Sequence, residues 1–509
     1  MNNRSGFLLF LALCFASSTF GALPTTFEPG RRDPATGNIV GTGPNVRWAV
    51  PIGSPTYATP VIANGKVLIG TLNGAEWDSR RSGSRSVLLC FDEKTGEFLW
   101  QLPLPKDYRI SSMFDAFCVG ISSTPTILGD RAFLTTGRGE VLCLDLNGLA
   151  NGNTGPYTDE AYLYTFGGTD RGRVTNRSGN VLPLAKTDAD IIWRYDAFGE
   201  LKSKPHDTNN CDIIYYDGLL VVNTGNSPDH THVHVPNPEA PSLIIMDAEN
   251  GIPLARDDFD IGSDISHGQW CSPTFGKVDG KDMIFYGGGN GVLYAVEAPS
   301  REVLWKQYEA NGRQLVQLKT TWKFQGDPRA HQPGGRVLPF VMGVGSPSYT
   351  SLPPPVLDDE GRIFMLFGHD AWNGARPFRS WMACVDAKTG KFRWGTNNIE
   401  GGAVAPSIVD NGLLYFADRQ GNFYCYDTAT GKEHWKLPLR GDIWARPLLA
   451  DGKIYVGTSR RMFYTLKAGL EPQILSEITM PDGIYAPAAA SDNTLYIAGD
   501  GFLYAVDGR

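Results

Sequence analysis

Three stretches of the chain repeat one pattern: Cys90-Phe91-Asp92-Glu93-Lys94-Thr95-Gly96-Glu97-Phe98-Leu99-Trp100, then CVDAKTGKFRW over 384–394 and CYDTATGKEHW over 425–435. Weaker copies run from Met246 to Arg256 and from Ala295 to Trp305. Each copy reads as an apolar strand ending near an acidic residue, a turn, and a following strand; the clear copies put Gly in the turn and Trp in that strand. Upstream lies a matching pair of short strands around a tight turn. Examples are Thr59-Pro60-Val61-Ile62 ahead of Asn64-Gly65, and Arg446-Pro447 ahead of Asp451-Gly452. Pro406, Pro447 and Pro487 space the bare unit at about forty residues, the period of a repeat architecture. Runs such as Lys66-Val67-Leu68-Ile69-Gly70 are β-branched and bounded by turn residues, and Asn-Gly accepts the positive φ that two-residue hairpins require.

Four such strands form a small sheet that is apolar on both faces and cannot bury itself. Radial stacking buries both faces and leaves short, protected edges. The repeated Trp reads as a wedge between neighbouring sheets, at Trp48, Trp100, Trp193, Trp305, Trp394 and Trp435. Strand pairs begin near Ala58, Ser123, Cys211, Ser272, Pro355, Ala405, Arg446 and Ala486, which sets the count at eight. The last copy, Tyr485 to Asp507, lacks its Trp strand, while Val46-Arg47-Trp48-Ala49-Val50 is an orphan Trp strand at the other end. The expected fold is therefore an all-β, eight-bladed β-propeller of four-stranded antiparallel blades, its ring closed by the N-terminal strand. An open solenoid or a pair of sandwich domains is the alternative, but no Pro/Ser-rich linker divides the chain.

The Asp-x-x-Thr-Gly-x-x-x-Trp unit at Asp92–Trp100, Asp386–Trp394 and Asp427–Trp435 resembles the repeat of the pyrroloquinoline-quinone (PQQ) propeller family. The likeness spans about residues 45–509. The resemblance implies the propeller fold, and it leaves function open, because the family includes quinoprotein alcohol dehydrogenases as well as non-catalytic members such as the outer-membrane-assembly lipoprotein.

The 59 Gly, 34 Pro, 12 Trp and 20 Tyr suit short strands and tight turns rather than helices. A formal net charge of −8 without a long basic run argues against nucleic acid as a partner. Arg4, the apolar run Phe7 to Ala16, and small residues at Ser17, Ser18, Gly21 and Ala22 have the layout of a secretory signal peptide. The expected division is a signal peptide over 1–22, an N-terminal extension over 23–44 and the propeller over 45–509. Ten apolar residues are too few to span a bilayer, and no second stretch is long enough for a transmembrane segment. A lipoprotein would be acylated at Cys14, but the preceding Leu11-Ala12-Leu13 puts a bulky Leu, Leu13, where a small residue is expected. The mature protein is thus expected to be exported, periplasmic or secreted.

Long insertions at 72–85, 103–120, 195–209, 226–241, 307–354 and 369–379 are expected on one face of the ring, and 149–189 on the other. Cys90, Cys143, Cys384 and Cys425 share one repeat position, filled elsewhere by Ile245, Ala295 or Ala505, and read as small core residues. Cys118, Cys211 and Cys271 lie near the starts of innermost strands and are candidates for a disulfide in an exported protein. No Cys-x-x-Cys-His occurs, so covalent c-type haem is excluded.

Polar and aromatic residues gather where innermost strands begin: His206, Asp207, Asn209, Asn210 and Asp212 in blade 3, His267, Gln269 and Trp270 in blade 4, Trp444 and Arg446 in blade 7. They would meet at a channel mouth and bind a small polar ligand, or simply line a hydrated channel. His230, His232 and His234 alternate, so as a strand they would share a face and hold a metal; as a loop they would be solvated. The resemblance raises PQQ with calcium as cofactors. For that chemistry Trp270 and Trp444 are candidate floors and Asn209, Asn210 and Asp212 candidate oxygen ligands, but the adjacent Cys pair typical of those dehydrogenases is missing. The leading expectation is an extracytoplasmic binding or scaffolding propeller acting on a protein or small polar ligand. The alternative is a PQQ-dependent oxidoreductase.

Overall fold

The computed structural model describes residues 22–106, 119–166, 169–170, 173–174, 181–229, 231, 234–265, 268–326, 353–368, 380–402 and 404–508. Eight antiparallel sheets stand around an axis. Blade 1 (61–105) shows the pattern: Val61–Ala63, Lys66–Leu72, Arg85–Asp92 and Phe98–Pro105 pair in chain order from the innermost strand outward. Blades 2 to 7 follow with innermost strands Thr126–Leu128, Ile214–Tyr216, Thr274–Val278, Val356–Leu357, Ile408–Asp410 and Leu448–Ala450. Blade 8 takes three strands from the C-terminal end, and Val46–Pro51 completes it by pairing with Phe502–Asp507, Trp48 opposite Ala505. Among the described residues no helix is long and apolar enough to cross a membrane.

The repeat signature has one physical meaning. Asp92 Oδ1 accepts the backbone N–H groups of Lys94 (3.0 Å) and Thr95 (2.8 Å) and the Thr95 hydroxyl (2.9 Å), which closes the turn. Gly96 then follows at φ +72°, and the Trp48 ring of the preceding blade lies flat on it; a Cβ there would come within 2.9 Å of the indole. The Trp48 Nε1–H donates to the Glu93 carbonyl (3.0 Å) in the same turn. Trp100, Trp193 and Trp394 repeat the lock on Gly148, Gly251 and Gly431, donating to the Leu146, Ala248 and Thr428 carbonyls. Trp435 donates to Gly469. Inside its own blade each of these indoles faces a small partner: Cys90, Cys143, Cys384 and Cys425 sit directly opposite Trp100, Trp193, Trp394 and Trp435. All four cysteines are buried free thiols.

Trp305 corrects the sequence reading. It lies on a helix, Arg301–Ala310, and Trp322 takes the wedge position of blade 4, opposite Ala295, with its N–H on the Ala387 carbonyl (3.0 Å). The cause is local. Pro299-Ser300-Arg301 replaces the Lys-Thr-Gly of the clear copy, so no positive-φ turn forms. Ser300 caps the helix instead, accepting from the Val303 N–H. Blade 3 meanwhile has Ala255 where six other blades have Trp. The helix delivers Leu304 and Trp305 to that gap, with the Trp305 N–H on Asp247 Oδ2 (2.7 Å).

The 149–189 insertion also departs from expectation. Rather than keeping to the opposite side of the ring, it climbs the outer strand of blade 1, where Gln101 exchanges hydrogen bonds with Thr187 and Ala189. It then meets the 72–85 loop through a fully buried pair, Arg81–Asp188 (2.9 Å). Blade 3 is covered likewise by the 298–319 segment, whose Val316–Gln317 adds a short parallel strand. The 22–44 segment covers blade 7: Leu23 and Phe27 are buried, and the Thr25 carbonyl accepts from the Ser476 hydroxyl. Of the other insertions, 107–118, 327–352 and 369–379 lie outside the described residues.

In blade 2, burial alone would raise the Glu140 carboxyl, but the Arg138 and Arg194 guanidinium groups outweigh it and hold it below its ordinary value. A depressed carboxylate stabilises the fold fully above the ordinary carboxylate range, and that contribution fades as pH falls through the folded-state value. Glu140→Gln is expected to cost on the order of 3 kcal/mol at neutral pH. The gap between variant and wild-type denaturant midpoints should narrow in acid. Trp100→Ala, which empties a fully buried wedge, should lower stability by about 3–5 kcal/mol, measured by the same unfolding.

Candidate functional site

The residue two positions ahead of each innermost strand repeats around the axis. It is Thr59, Thr124, Asp212 and Ser272 in blades 1 to 4, then Pro354, Pro406, Arg446 and Pro487 in blades 5 to 8. Over the first four blades this position stitches neighbours together. The Thr59 N–H donates to Thr124 Oγ1 (3.3 Å), the Thr124 N–H to Asp212 Oδ1 (2.7 Å), and the Asp212 N–H to Ser272 Oγ (2.9 Å). Proline offers the Ser272 N–H no side-chain acceptor and has no N–H of its own to continue the chain. Arg446 stands between Pro406 and Pro487, and among the described residues its guanidinium donates no hydrogen bond.

The charge that acts on Arg446 is Asp212, on blade 3, diametrically opposite blade 7 in a ring of eight. The two do not approach within 4.0 Å. Burial pushes the Arg446 guanidinium below its ordinary value and the Asp212 carboxyl above, and each charge partly offsets the shift of the other. Both side chains keep partial exposure, as expected of groups on the wall of an axial channel.

Two residues ahead of this ring position, blades 7, 8 and 1 carry Trp444, Tyr485 and Tyr57. The three rings meet: Tyr57–Tyr485 at 5.8 Å, Tyr57–Trp444 at 6.1 Å and Trp444–Tyr485 at 6.2 Å between centroids. The Arg419 guanidinium covers the Trp444 face at 4.0 Å. Trp270 holds the same place in blade 4, its Nε1–H shared between the His206 and Thr208 carbonyls (3.2 Å each).

The residues expected at the mouth divide into two kinds. His206, Asn209 and Gln269 are buried and engaged with protein: His206 Nδ1 with the Pro228 carbonyl (2.8 Å), Asn209 with Asn223 and Cys211, and Gln269 with Asn226, Ser242 and Tyr286. Asp207 has φ +64° in a tight turn closed by the Thr208 N–H on the His206 carbonyl (2.7 Å). Asn210, Asp212, Trp270, Trp444 and Arg446 keep accessible surface. His267, His230 and His232 lie outside the described residues, and His234 is exposed in a loop rather than on a strand. Among the described residues no group of three or more His, Cys, Asp or Glu is placed to hold a metal ion. The oxygen set suggested for calcium does not converge: Asn209 turns to Asn223 and Cys211, while Asp212 Oδ1 turns to Thr124. That set does not fit a calcium ion.

A sequence profile described as outer membrane protein assembly factor BamB matches residues 379–469. Among solved structures, BamB from Moraxella catarrhalis superposes with a TM-score of 0.51 at 13% identity, covering 91% of this chain and 99% of that one. The chain resembles the PQQ-like propellers. Quinohemoprotein alcohol dehydrogenase from Comamonas testosteroni gives a TM-score of 0.57 at 14% identity over 91% of this chain and 76% of that one. A europium-containing methanol dehydrogenase gives 0.56 at 11%, over 91% and 93%. No curated protein sequence matches the chain. At these identities the structural likeness of PQQ-like propellers speaks for the fold alone.

Tyr57, Tyr485 and Arg419 escaped sequence reasoning. Tyr57 and Tyr485 were visible in principle, since they occupy the repeat position of Trp444. Arg419 comes from a turn of blade 6 that only packing brings over the indole. Cys211 and Cys271 are buried free thiols on neighbouring blades, and Cys118 lies outside the described residues. Burial pushes the Cys271 thiol up to about 12 and raises Cys211 well above its ordinary value. Neither should react with a disulfide reagent in the native protein at mildly alkaline pH, while both should titrate after unfolding in denaturant.

Proposed function

We propose that this chain is an exported, non-catalytic binding propeller that takes a protein or small polar ligand at its channel mouth and loop-bearing face. The observation that carries the reading is the division at the mouth. Side-chain oxygens of blades 2 to 4 link neighbouring blades, while the partly exposed Arg446 and the Tyr57–Trp444–Tyr485 ring cluster give blades 7, 8 and 1 a cationic and aromatic surface. Recognition needs such preset polar and aromatic groups and nothing more. The likeness to BamB over 379–469 supports a scaffolding role. Arg4 and the apolar run from Phe7 to Ala16 support export, with 1–22 as the leader, 23–44 as an extension and 45–509 as the propeller.

A second reading, a PQQ-dependent oxidoreductase at the same mouth, draws on the structural likeness to the alcohol and methanol dehydrogenases. The buried, high-pKa thiols of Cys211 and Cys271 and the non-convergent oxygen donors weigh against it. The deciding experiment titrates purified protein with PQQ and calcium and then assays dye-linked alcohol oxidation. No saturable quinone binding and no turnover are expected; turnover that depends on added quinone would replace the binding reading with the oxidoreductase.

A further inference from the structure

We propose that the α-amino group freed when the leader is cut beside Ala22 is an anchoring group of the mature fold, held on the Asp451 carboxylate of blade 7. The inference rests on the export reading above and goes beyond it.

From Ala22 onward the chain is fitted to the propeller. The Leu23 N–H donates to Asp451 Oδ2 (3.2 Å), and the Leu23 side chain is 2% exposed. The Ala22 carbonyl lies against Gly508, where any Cβ would collide with it. Phe27 then packs edge-on against Phe463 (6.0 Å between centroids). The Thr25 carbonyl accepts from Ser476, which stands where six other blades carry the Trp wedge. This segment therefore replaces a missing lock between blades 7 and 8, and it begins on a carboxylate. Ala22 itself is exposed, so a chain that starts there or one residue later has room for its terminal charge.

A cut after Ala22 makes the Leu23 nitrogen itself the ammonium. A cut after Gly21 puts the ammonium one residue, about 4 Å, further out. Either way the hydrogen bond on Asp451 gains an ion pair, because an ammonium is a charged group with three N–H donors where an amide has one. Acceptors for them are in place. Asp451 Oδ2 already takes the Lys453 ammonium, but a carboxylate offers about four lone-pair sites. The core cluster that buries Leu23 also holds Tyr455, whose hydroxyl is buried and has no hydrogen-bond partner among the described residues. An uncut chain brings only its single amide donor to this end of the blade.

The test expresses the full chain, leader included, for export, and reads the mature N-terminus by sequencing and intact mass. The first residue should be Ala22 or Leu23. Hydrogen exchange in peptides from 23–30 then reports the anchor directly. Gly-Ser-Gly inserted directly after the cut keeps the amide donor but carries the ammonium away, and should speed exchange there at least about threefold. Asp451→Asn keeps an acceptor and tolerates the positive φ of that turn (+53°), so it removes the charge without straining the backbone. It should speed exchange by a similar factor, and the insertion should add nothing further in that background. Peptides from blade 3, across the ring, should exchange as in wild type in every variant. The proposal is overturned if the mature chain starts at another residue, if the insertion leaves exchange at 23–30 unchanged, or if it acts as strongly in Asp451→Asn as in wild type. Those results leave export standing, whereas an exported sample that keeps residues 1–21, or a chain that is never exported, sinks the export reading itself and this proposal with it.

Discussion

The indole of one blade lying on the turn glycine of the next is the contact from which the ring is built. A Trp side chain buries roughly 150–250 Å² and needs a flat, side-chain-free surface to do so. The Asp-x-x-Thr-Gly turn supplies that surface, because its Gly sits at positive φ and carries no Cβ. The N–H of the indole then finds a carbonyl in the same turn, so no polar group is stranded at the interface. One residue pair thus fixes both the spacing and the angle between neighbouring sheets.

Between blades 6 and 7 the indole keeps its hydrogen bond to Gly469 without a glycine beneath the ring, since a Cβ on Gly469 would meet nothing within 4 Å; at two further junctions the lock fails outright, and there the chain compensates. Between blades 3 and 4 both halves are missing together: Ala255 stands for the Trp and Arg301 for the Gly. Between blades 7 and 8, Ser476 holds the Trp position, and the turn that would carry the Gly is replaced by the two chain ends. At each of these places a segment leading into the next blade's outer strand folds back over the neighbouring edge. The helix Arg301–Ala310 does so over blade 3, and residues 22–44 over blade 7. Blade 1 keeps its lock and is covered as well, by 149–189, so edge covering is a general use of these segments.

The same logic of repeat positions explains the asymmetry of the channel. Threonine, aspartate and serine link blades 1 to 4 through their side-chain oxygens, and proline ends that linkage in blades 5, 6 and 8. Arg446 interrupts the prolines with a side chain that has no part in either scheme. Function at a propeller axis is expected where the repeat is broken rather than where it is kept, since a kept position is already committed to structure.

Strand count, blade number and ring closure were legible because each rests on local periodicity and on one leftover strand matching one vacancy. The six-Trp wedge series failed only at Trp305, where a helix cap in place of a Thr-Gly turn redirected the chain and moved the role to Trp322. The polar cluster at the mouth was legible as composition, but not which members keep accessible surface. His206, Asn209 and Gln269 look no different in sequence from Asn210, Asp212 and Arg446. By itself, then, the sequence determined the number and closure of the blades, through hydrogen-bonded strand pairs whose signals lie within a few residues of each other. Only the tertiary structure decided which polar side chains are consumed by neighbours, because those neighbours arrive from other blades and radial stacking alone brings them within bonding distance.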